Sequence, residues 1–205
     1  MSVEASQTTS SGTSAASLRD EQTELTRRRI LDAVVRILAG NVADLSVEAV
    51  ARESGVSRPT VYRYFRSKRE MVDAVGRMYA ERTGTVEAGR AATLDEMLAH
   101  VPDIFRRYER LEPELRAAAM SAETRGPSVR YREDRVGLAR RLLAPYAQDL
   151  LEPDRERLAR VVTVLLSSGT LRSMRYYLDL SPEEAGELVA WAIRRLAGER
   201  KEGMR

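Results

Sequence analysis

Apolar residues recur every three to four positions along most of the chain, the pattern of amphipathic α-helices. The first run predicts a helix from about Leu25 to Ala39, ended by Gly40 and Asn41, which tolerate left-handed backbone angles. The stretch before it, residues 1–20, is rich in Ser, Thr and Ala without apolar periodicity, and we predict a disordered tail there. Because no segment alternates apolar and polar residues over a useful length, the pattern predicts an all-α fold.

Capping residues delimit the next helices. Ser46 is placed to cap a short helix that Gly55 ends, and Ser57 to cap another whose first turn contains Pro59, where a missing N–H costs nothing. Ser67, with a glutamate three residues later, has the capping-box pattern and opens a longer helix. The sequence therefore predicts two short helices joined by a tight glycine turn, directly before a longer helix.

Helix follows helix beyond Gly84. Pro102 lies inside one predicted helix and predicts a kink there. An apolar stripe after Pro153 continues towards Leu178 and is interpreted as one long helix, and Ser181 is placed to cap the last helix.

The composition excludes several functions. Cysteine is absent and His100 is the only histidine, so neither disulfides nor a transition-metal site are expected, and the lack of cysteine is consistent with a cytoplasmic protein. The N-terminus lacks a secretory-signal pattern, and no run of about 18 uncharged apolar residues could span a membrane. Because no phosphate loop, His-Glu metal motif or serine elbow occurs, we expect neither an enzyme nor a bound cofactor.

The chain has a net charge of only +3, but its charge is unevenly placed. Between Ser54 and Arg69 there is no acidic residue, while five basic residues occur: Arg58, Arg63, Arg66, Lys68 and Arg69. Such a cluster can be a solvated surface. Here it coincides with the second of two short helices joined by a turn, and a helix of that kind fits the major groove of B-DNA.

A helix that starts after Ser57 turns Val61 and Phe65 towards a core and leaves the other side for DNA. Arg58 and Arg63 could donate paired hydrogen bonds to guanine, or contact only phosphates. Phosphate contacts are also predicted from the end of this helix, from the start of the next one and from the start of the first predicted helix. The predicted DNA-contacting set is Thr26, Arg27, Ser57, Arg58, Pro59, Thr60, Tyr62, Arg63, Tyr64 and Lys68.

Residues 44–65, followed by Ser67, Lys68 and Glu70, resemble the N-terminal DNA-binding domain of TetR-type repressors. Spacing, capping, the glycine turn and the Tyr-x-Tyr-Phe ending agree over one continuous stretch, and the resemblance covers about residues 25–82. It implies a helix-turn-helix DNA-binding domain over residues 21–68 and a larger helical ligand-binding and dimerisation domain over residues 69–205. The function it implies is a repressor that a small-molecule ligand releases from a palindromic operator on double-stranded DNA.

The resemblance also implies two sites in the second half of the chain. The expected homodimer interface uses the last apolar stripes: Leu158, Val162, Leu165, Leu166, Gly169, Leu188, Val189, Ala192 and Leu196. Small residues around Gly169 would permit close approach of helices. The expected ligand pocket is lined by Met78, Met97, Val101, Phe105, Tyr108, Met120, Tyr131, Leu142 and Met174. Both patterns are also those of an ordinary core within one chain.

A constitutive DNA-binding regulator or an architectural protein, without a ligand, is the alternative that the residues leave open. Repression, as against activation, follows from the resemblance alone.

Overall fold

The computed structural model describes residues 11–40, 44–121 and 128–198. Over these ranges the chain forms helices and no strand. The helices are α1 (Ser11–Gly40), α2 (Val47–Ser54), α3 (Arg58–Tyr64), α4 (Lys68–Thr83), α5 (Thr85–Ala88), α6 (Leu94–Glu109), α7 (Pro113–Met120), α8 (Ser128–Leu143), α9 (Glu152–Leu165), α10 (Ser168–Leu178) and α11 (Pro182–Leu196). The predicted all-α fold is confirmed.

Helix α1 starts earlier than its apolar pattern predicts. Residues 11–20 form its first turns, so the predicted disordered tail is wrong there, while residues 1–10 lie outside the described residues. Every side chain from Leu18 to Leu25 is exposed, so no packed face imposes an apolar period on this stretch. Its alanine, leucine, glutamate and glutamine residues favour a helix by local propensity instead.

The first four helices all contribute buried side chains to the hydrophobic core. Ile30 and Val34 of α1, Val50 of α2 and Val61 of α3 are fully buried, and Met71 of α4 is 1 % exposed. The helices α2 and α3 are too short to be stable alone, so this shared burial is what holds them in place. The core thereby fixes which face of α3 points to solvent.

In the second half of the chain, α6 packs along α11, α7 packs on α1 and α4, and α8 pairs with α9. Helix α6 runs through Pro102 as one element. Gly186 of α11 lies against this proline, because a Cβ added to Gly186 would stand 2.7 Å from the Pro102 Cα atom. At Gly169, where we expected close approach, an added Cβ would meet only the Ser167 hydroxyl at 3.4 Å. The close helix contact is therefore at Gly186.

The apolar stripe after Pro153 is divided between two helices. Helix α9 ends at Leu165, and the Ser167 hydroxyl caps α10 by accepting a hydrogen bond from the Thr170 N–H at 3.3 Å. The Thr170 hydroxyl donates to the Val164 carbonyl at 2.6 Å, which satisfies a backbone acceptor at the end of α9. The prediction of one long helix is wrong because these hydroxyls supply caps in the middle of the stripe.

Candidate nucleic-acid interface

The turn between α2 and α3 is held by hydrogen bonds from both sides. Gly55 has a φ of 67°, in the left-handed region where glycine is favoured, and the next amide, of Val56, donates to the Ala51 carbonyl at 3.2 Å. From α1, the Arg29 guanidinium donates to the Ser54 carbonyl at 2.9 Å. The turn is therefore fixed relative to α1 as well as α2.

Helix α3 presents one face to the core and the other to solvent. Ser57 caps it, accepting from the Thr60 N–H at 3.3 Å. Val61 is fully buried and Phe65, at the C-cap, is 1 % exposed, whereas Tyr62 is 50 % exposed. This division between core and solvent agrees with the face that we predicted for DNA.

Two arginines of the predicted set lie over aromatic rings. The Arg63 guanidinium is 5.3 Å from the centre of the Tyr64 ring, and the Arg27 guanidinium of α1 is 5.4 Å from that of Phe65. Cation–π contacts of this kind restrict the arginines without consuming their hydrogen-bond donors. Both guanidinium groups thus keep donors for a phosphate or a base.

The remaining arginine of α3 has a partner that the sequence did not predict. Arg58, the first residue of α3, forms a salt bridge of 2.6 Å with Glu48 in the first turn of α2. Charge counting between Ser54 and Arg69 overlooks this acid, because Glu48 precedes the counted stretch.

Two further predicted contacts lie at the first position of α4 and in the middle of α1. Lys68 is exposed at the first position of α4, whose cap Ser67 accepts from the Glu70 N–H at 3.1 Å. Thr26 is half-buried on α1, and its hydroxyl donates to the Gln22 carbonyl at 2.8 Å. To donate to a phosphate, the Thr26 hydroxyl would first have to redirect its hydrogen.

The predicted ligand-pocket residues divide by exposure. Met97, Val101, Phe105, Tyr108 and Leu142 are at most 7 % exposed, while Met78, Met120 and Met174 are half-buried. The side chain of Tyr131 lies outside the described residues.

Two of these residues, Tyr108 and Met120, lie where four helices converge. The Tyr108 hydroxyl of α6 donates to the Met120 sulfur of α7 at 3.6 Å, and the ring of Tyr79 on α4 meets the Tyr108 ring edge-on at 6.3 Å. Arg172 of α10 donates to the same sulfur at 2.9 Å. We call Tyr79, Tyr108, Met120 and Arg172 the four-helix cluster. Sequence reasoning missed Tyr79 and Arg172, which come from helices distant in the chain.

The predicted dimer residues also divide by exposure. Val162 is 2 % exposed and Val189 is fully buried, so both pack inside the chain and offer no surface to a partner. Leu158, Leu165, Leu166, Gly169 and Ala192 are half-buried, and Leu188 and Leu196 are exposed. Exposed apolar neighbours that the prediction did not include are Val161, Val164, Tyr176, Tyr177 and Trp191.

Among the described residues, no three His, Cys, Asp or Glu side chains lie close enough together to hold a metal ion, and His100 is exposed. None of the helices in the described ranges has the length and apolarity needed to cross a lipid bilayer.

Comparison with known sequences identifies the helix-turn-helix. Residues 30–75 match the family described as bacterial regulatory proteins, tetR family. The HTH-type transcriptional regulator SrpR of Pseudomonas putida is 40 % identical over 55 residues, which are 26 % of each chain. The uncharacterized HTH-type transcriptional regulator TtgW of Pseudomonas putida is 41 % identical over 51 residues, 24 % of this chain and 38 % of TtgW. The matched segments thus span about a quarter of the length of SrpR and about two fifths of the length of TtgW.

Comparison with solved structures extends the likeness to most of the chain. The complex of SmeT with triclosan superposes with a TM-score of 0.62 at 20 % identity, covering 87 % of this chain and 93 % of SmeT. NalD of Pseudomonas aeruginosa superposes with a TM-score of 0.60 at 21 % identity, covering 85 % and 96 %. At these identities the likeness concerns the fold. Residues 30–75 thus have the sequence of the tetR-family DNA-binding domain, and the fold of the chain around them is that of SmeT and NalD.

Proposed function

We propose that the protein is a homodimeric transcriptional repressor that binds a palindromic operator through α3 and is released from it by a small-molecule ligand. The observation that carries this proposal is the two-faced α3, which buries Val61 and exposes Tyr62 within the segment that matches the family. A helix anchored in this way can enter the major groove with its polar side chains towards the base edges.

The exposed apolar side chains of the last helices support the dimer. Val161 and Val164 on α9 are 48 % and 64 % exposed, and Trp191 and Leu196 on α11 are 55 % and 49 % exposed. Large apolar side chains grouped on the outside of two helices favour association, because a second copy removes them from water. A symmetric dimer presents two recognition helices, which matches a palindromic site.

The four-helix cluster supports a ligand site between α4, α6, α7 and α10. Tyr108 and Met120 combine polarizable, apolar surface with a hydroxyl, a suitable lining for a small organic molecule. Among proteins of the same fold, SmeT is described in complex with triclosan, and NalD as the secondary repressor of a multidrug efflux pump. Because α4 leads directly from α3 into this cluster, a ligand there can move the recognition helix.

Such a regulator acts in the bacterial cytoplasm, where its operator lies.

A selection from random duplexes with the purified full-length protein tests this function. We expect enrichment of a palindromic site, and a complex whose mass corresponds to one or more protein dimers on DNA. Failure of a folded protein to enrich any sequence would overturn the proposal.

The selected duplex then serves as a probe for release by a library of small organic molecules. Release by a compound that also raises the melting temperature of the free protein supports ligand control. Tight binding that no compound alters would favour a constitutive regulator. Weak sequence preference with a dominant salt dependence would favour an architectural protein.

A further inference from the structure

The salt bridge between α2 and α3 lies at the start of the proposed recognition helix. Arg58 Nη2 and Glu48 Oε1 are 2.6 Å apart, and the two side chains remain 60 % and 54 % exposed. We propose that Glu48 is a specificity-determining residue, which positions the Arg58 guanidinium for a base and weakens binding to DNA of any other sequence. This inference rests on the proposed function, because it assigns a role within DNA recognition.

The position of the pair explains why Arg58 needs a partner. Arg58 is the first residue of α3, where the helix dipole disfavours a cation, and Glu48 lies in the first turn of α2, where the dipole favours an anion. Exposed ion pairs contribute little to folding stability, so the pair has its main consequence in the orientation of the arginine. A guanidinium has five N–H donors, and a carboxylate can occupy two of them. The other N–H donors of Arg58 then remain available to DNA, on a guanidinium whose orientation the ion pair restrains.

The effect on DNA binding follows from what each type of DNA contact requires. Non-specific binding depends on mobile cations that neutralise phosphates. Glu48 lowers this contribution, because its carboxylate is paired with the Arg58 guanidinium and neutralises it. A paired hydrogen bond to guanine depends on geometry, which the restraint preserves. Glu48 therefore weakens non-specific binding more than operator binding and raises the ratio between them.

The chain offers a matched control on the same helix. Glu53 of α2 forms a salt bridge of 2.6 Å with Arg36 of α1, and these side chains are 44 % and 50 % exposed. Glu48 and Glu53 also line the same open groove between α1 and α2. Glu53→Gln removes the same charge from the same helix as Glu48→Gln, but it leaves α3 unchanged. A difference between the two variants therefore reports on Arg58.

The experiment compares the dissociation constants of the selected operator and a scrambled duplex over a salt series. For Glu48→Gln we expect binding of the scrambled duplex to tighten about threefold, an effect within the free-energy range of one exposed ion pair. The specificity ratio, which is the dissociation constant of the scrambled duplex divided by that of the operator, should fall by about the same factor. Glu53→Gln should leave the ratio unchanged. In an Arg58→Ala background, measured at low salt to keep binding detectable, Glu48→Gln should no longer change the ratio.

The outcomes separate this inference from the proposed function. If the wild-type protein binds an operator and Glu48→Gln behaves like Glu53→Gln, Glu48 has no positioning role and only this inference is overturned. An effect of Glu48→Gln that persists with Arg58→Ala overturns it as well, because Glu48 would then act directly on DNA. A folded wild-type protein that binds all duplexes equally overturns the proposed function and this inference together.

Discussion

Helices α3 and α11 each bury one face and expose the other, but the chemistry of the exposed faces differs. On α3 the exposed side chains include Arg58 and Tyr62, which have hydrogen-bond donors. On α11 they include Trp191 and Leu196, which offer mainly apolar surface. A partner for α3 can be inferred from residue types, because donors at a fixed spacing match particular acceptors. A partner for α11 is indicated only by the surface left exposed after folding.

The same contrast appears in how the two halves of the chain are held together. In the first half, serine caps and a glycine turn set the ends of short helices. In the second half, the arrangement depends on close contact between helices distant in the chain, such as Gly186 against Pro102. Substitutions in each half of the chain test whether its helices are held in these two ways.

The largest effect is expected at the exposed apolar face. We expect the double substitution Val164→Glu with Trp191→Glu to yield monomers, because two carboxylates per subunit would be buried in the proposed interface. Loss of the linked second half-site should weaken operator binding about a hundredfold or more. Sedimentation and operator titration measure both quantities. Leu18→Glu, at an apolar residue of α1 that is 63 % exposed, is the control and should remain dimeric. A dimeric double variant would contradict the proposed interface.

The next effect concerns packing between α6 and α11. Gly186→Ala should lower the free energy of unfolding by roughly 1–3 kcal/mol, because its Cβ would press on the backbone of Pro102. Gly76→Ala in α4 has no heavy atom within 4 Å of the added Cβ and should raise stability by up to about 1 kcal/mol. Denaturant unfolding of both variants measures the difference. Equal stabilities would mean that α6 and α11 do not pack this closely.

A third test concerns α3 and the start of α4. Arg63→Ala should cost roughly 1–3 kcal/mol of operator binding and relax preference at one base pair, because Arg63 is proposed to contact a base edge. Lys68→Ala should weaken all duplexes about equally and reduce the salt slope by about one, as expected for a phosphate contact. Titrations of operator and single-base variants separate the two. Unchanged operator affinity in both variants would contradict the proposed face of α3.

The smallest effect is the pH dependence of one exposed ion pair. The Arg106 guanidinium, 2.6 Å away, lowers the pKa of Glu183 below its usual value. The stability that this pair contributes is therefore complete above the unfolded pKa of glutamate, about 4.3, and is lost as the pH falls through the lower folded value. Glu183→Gln should be slightly less stable than the wild type at neutral pH and should converge with it in acid.

Urea unfolding at a series of pH values measures this difference, and high salt should reduce it because the pair is exposed. A difference that grows as the pH falls would contradict the assignment.

Capping was well predicted because it involves neighbours in the sequence. Ser46, Ser57 and Ser181 cap helices as expected, and Ser181 with Glu184 forms the complete reciprocal box. At Ser67 the glutamate departs from the pattern, since the Glu70 carboxylate accepts from the Arg66 N–H, one residue before the cap. The division of the apolar stripe at Ser167 was missed, because a single serine in an apolar run competes with the signal of the whole helix.

The all-α fold, the tight turn at Gly55 and the two faces of α3 could be predicted from the sequence, because caps, turns and helical periodicity act over a few residues. The burial of Val189, the exposure of Trp191 and the pairing of Arg58 with Glu48 became known from the packed helices. Apolar residues recur along a helix at the same spacing whether they face the core of the chain or an interface with a partner. A salt bridge between helices depends on how those helices pack, and no local spacing encodes that.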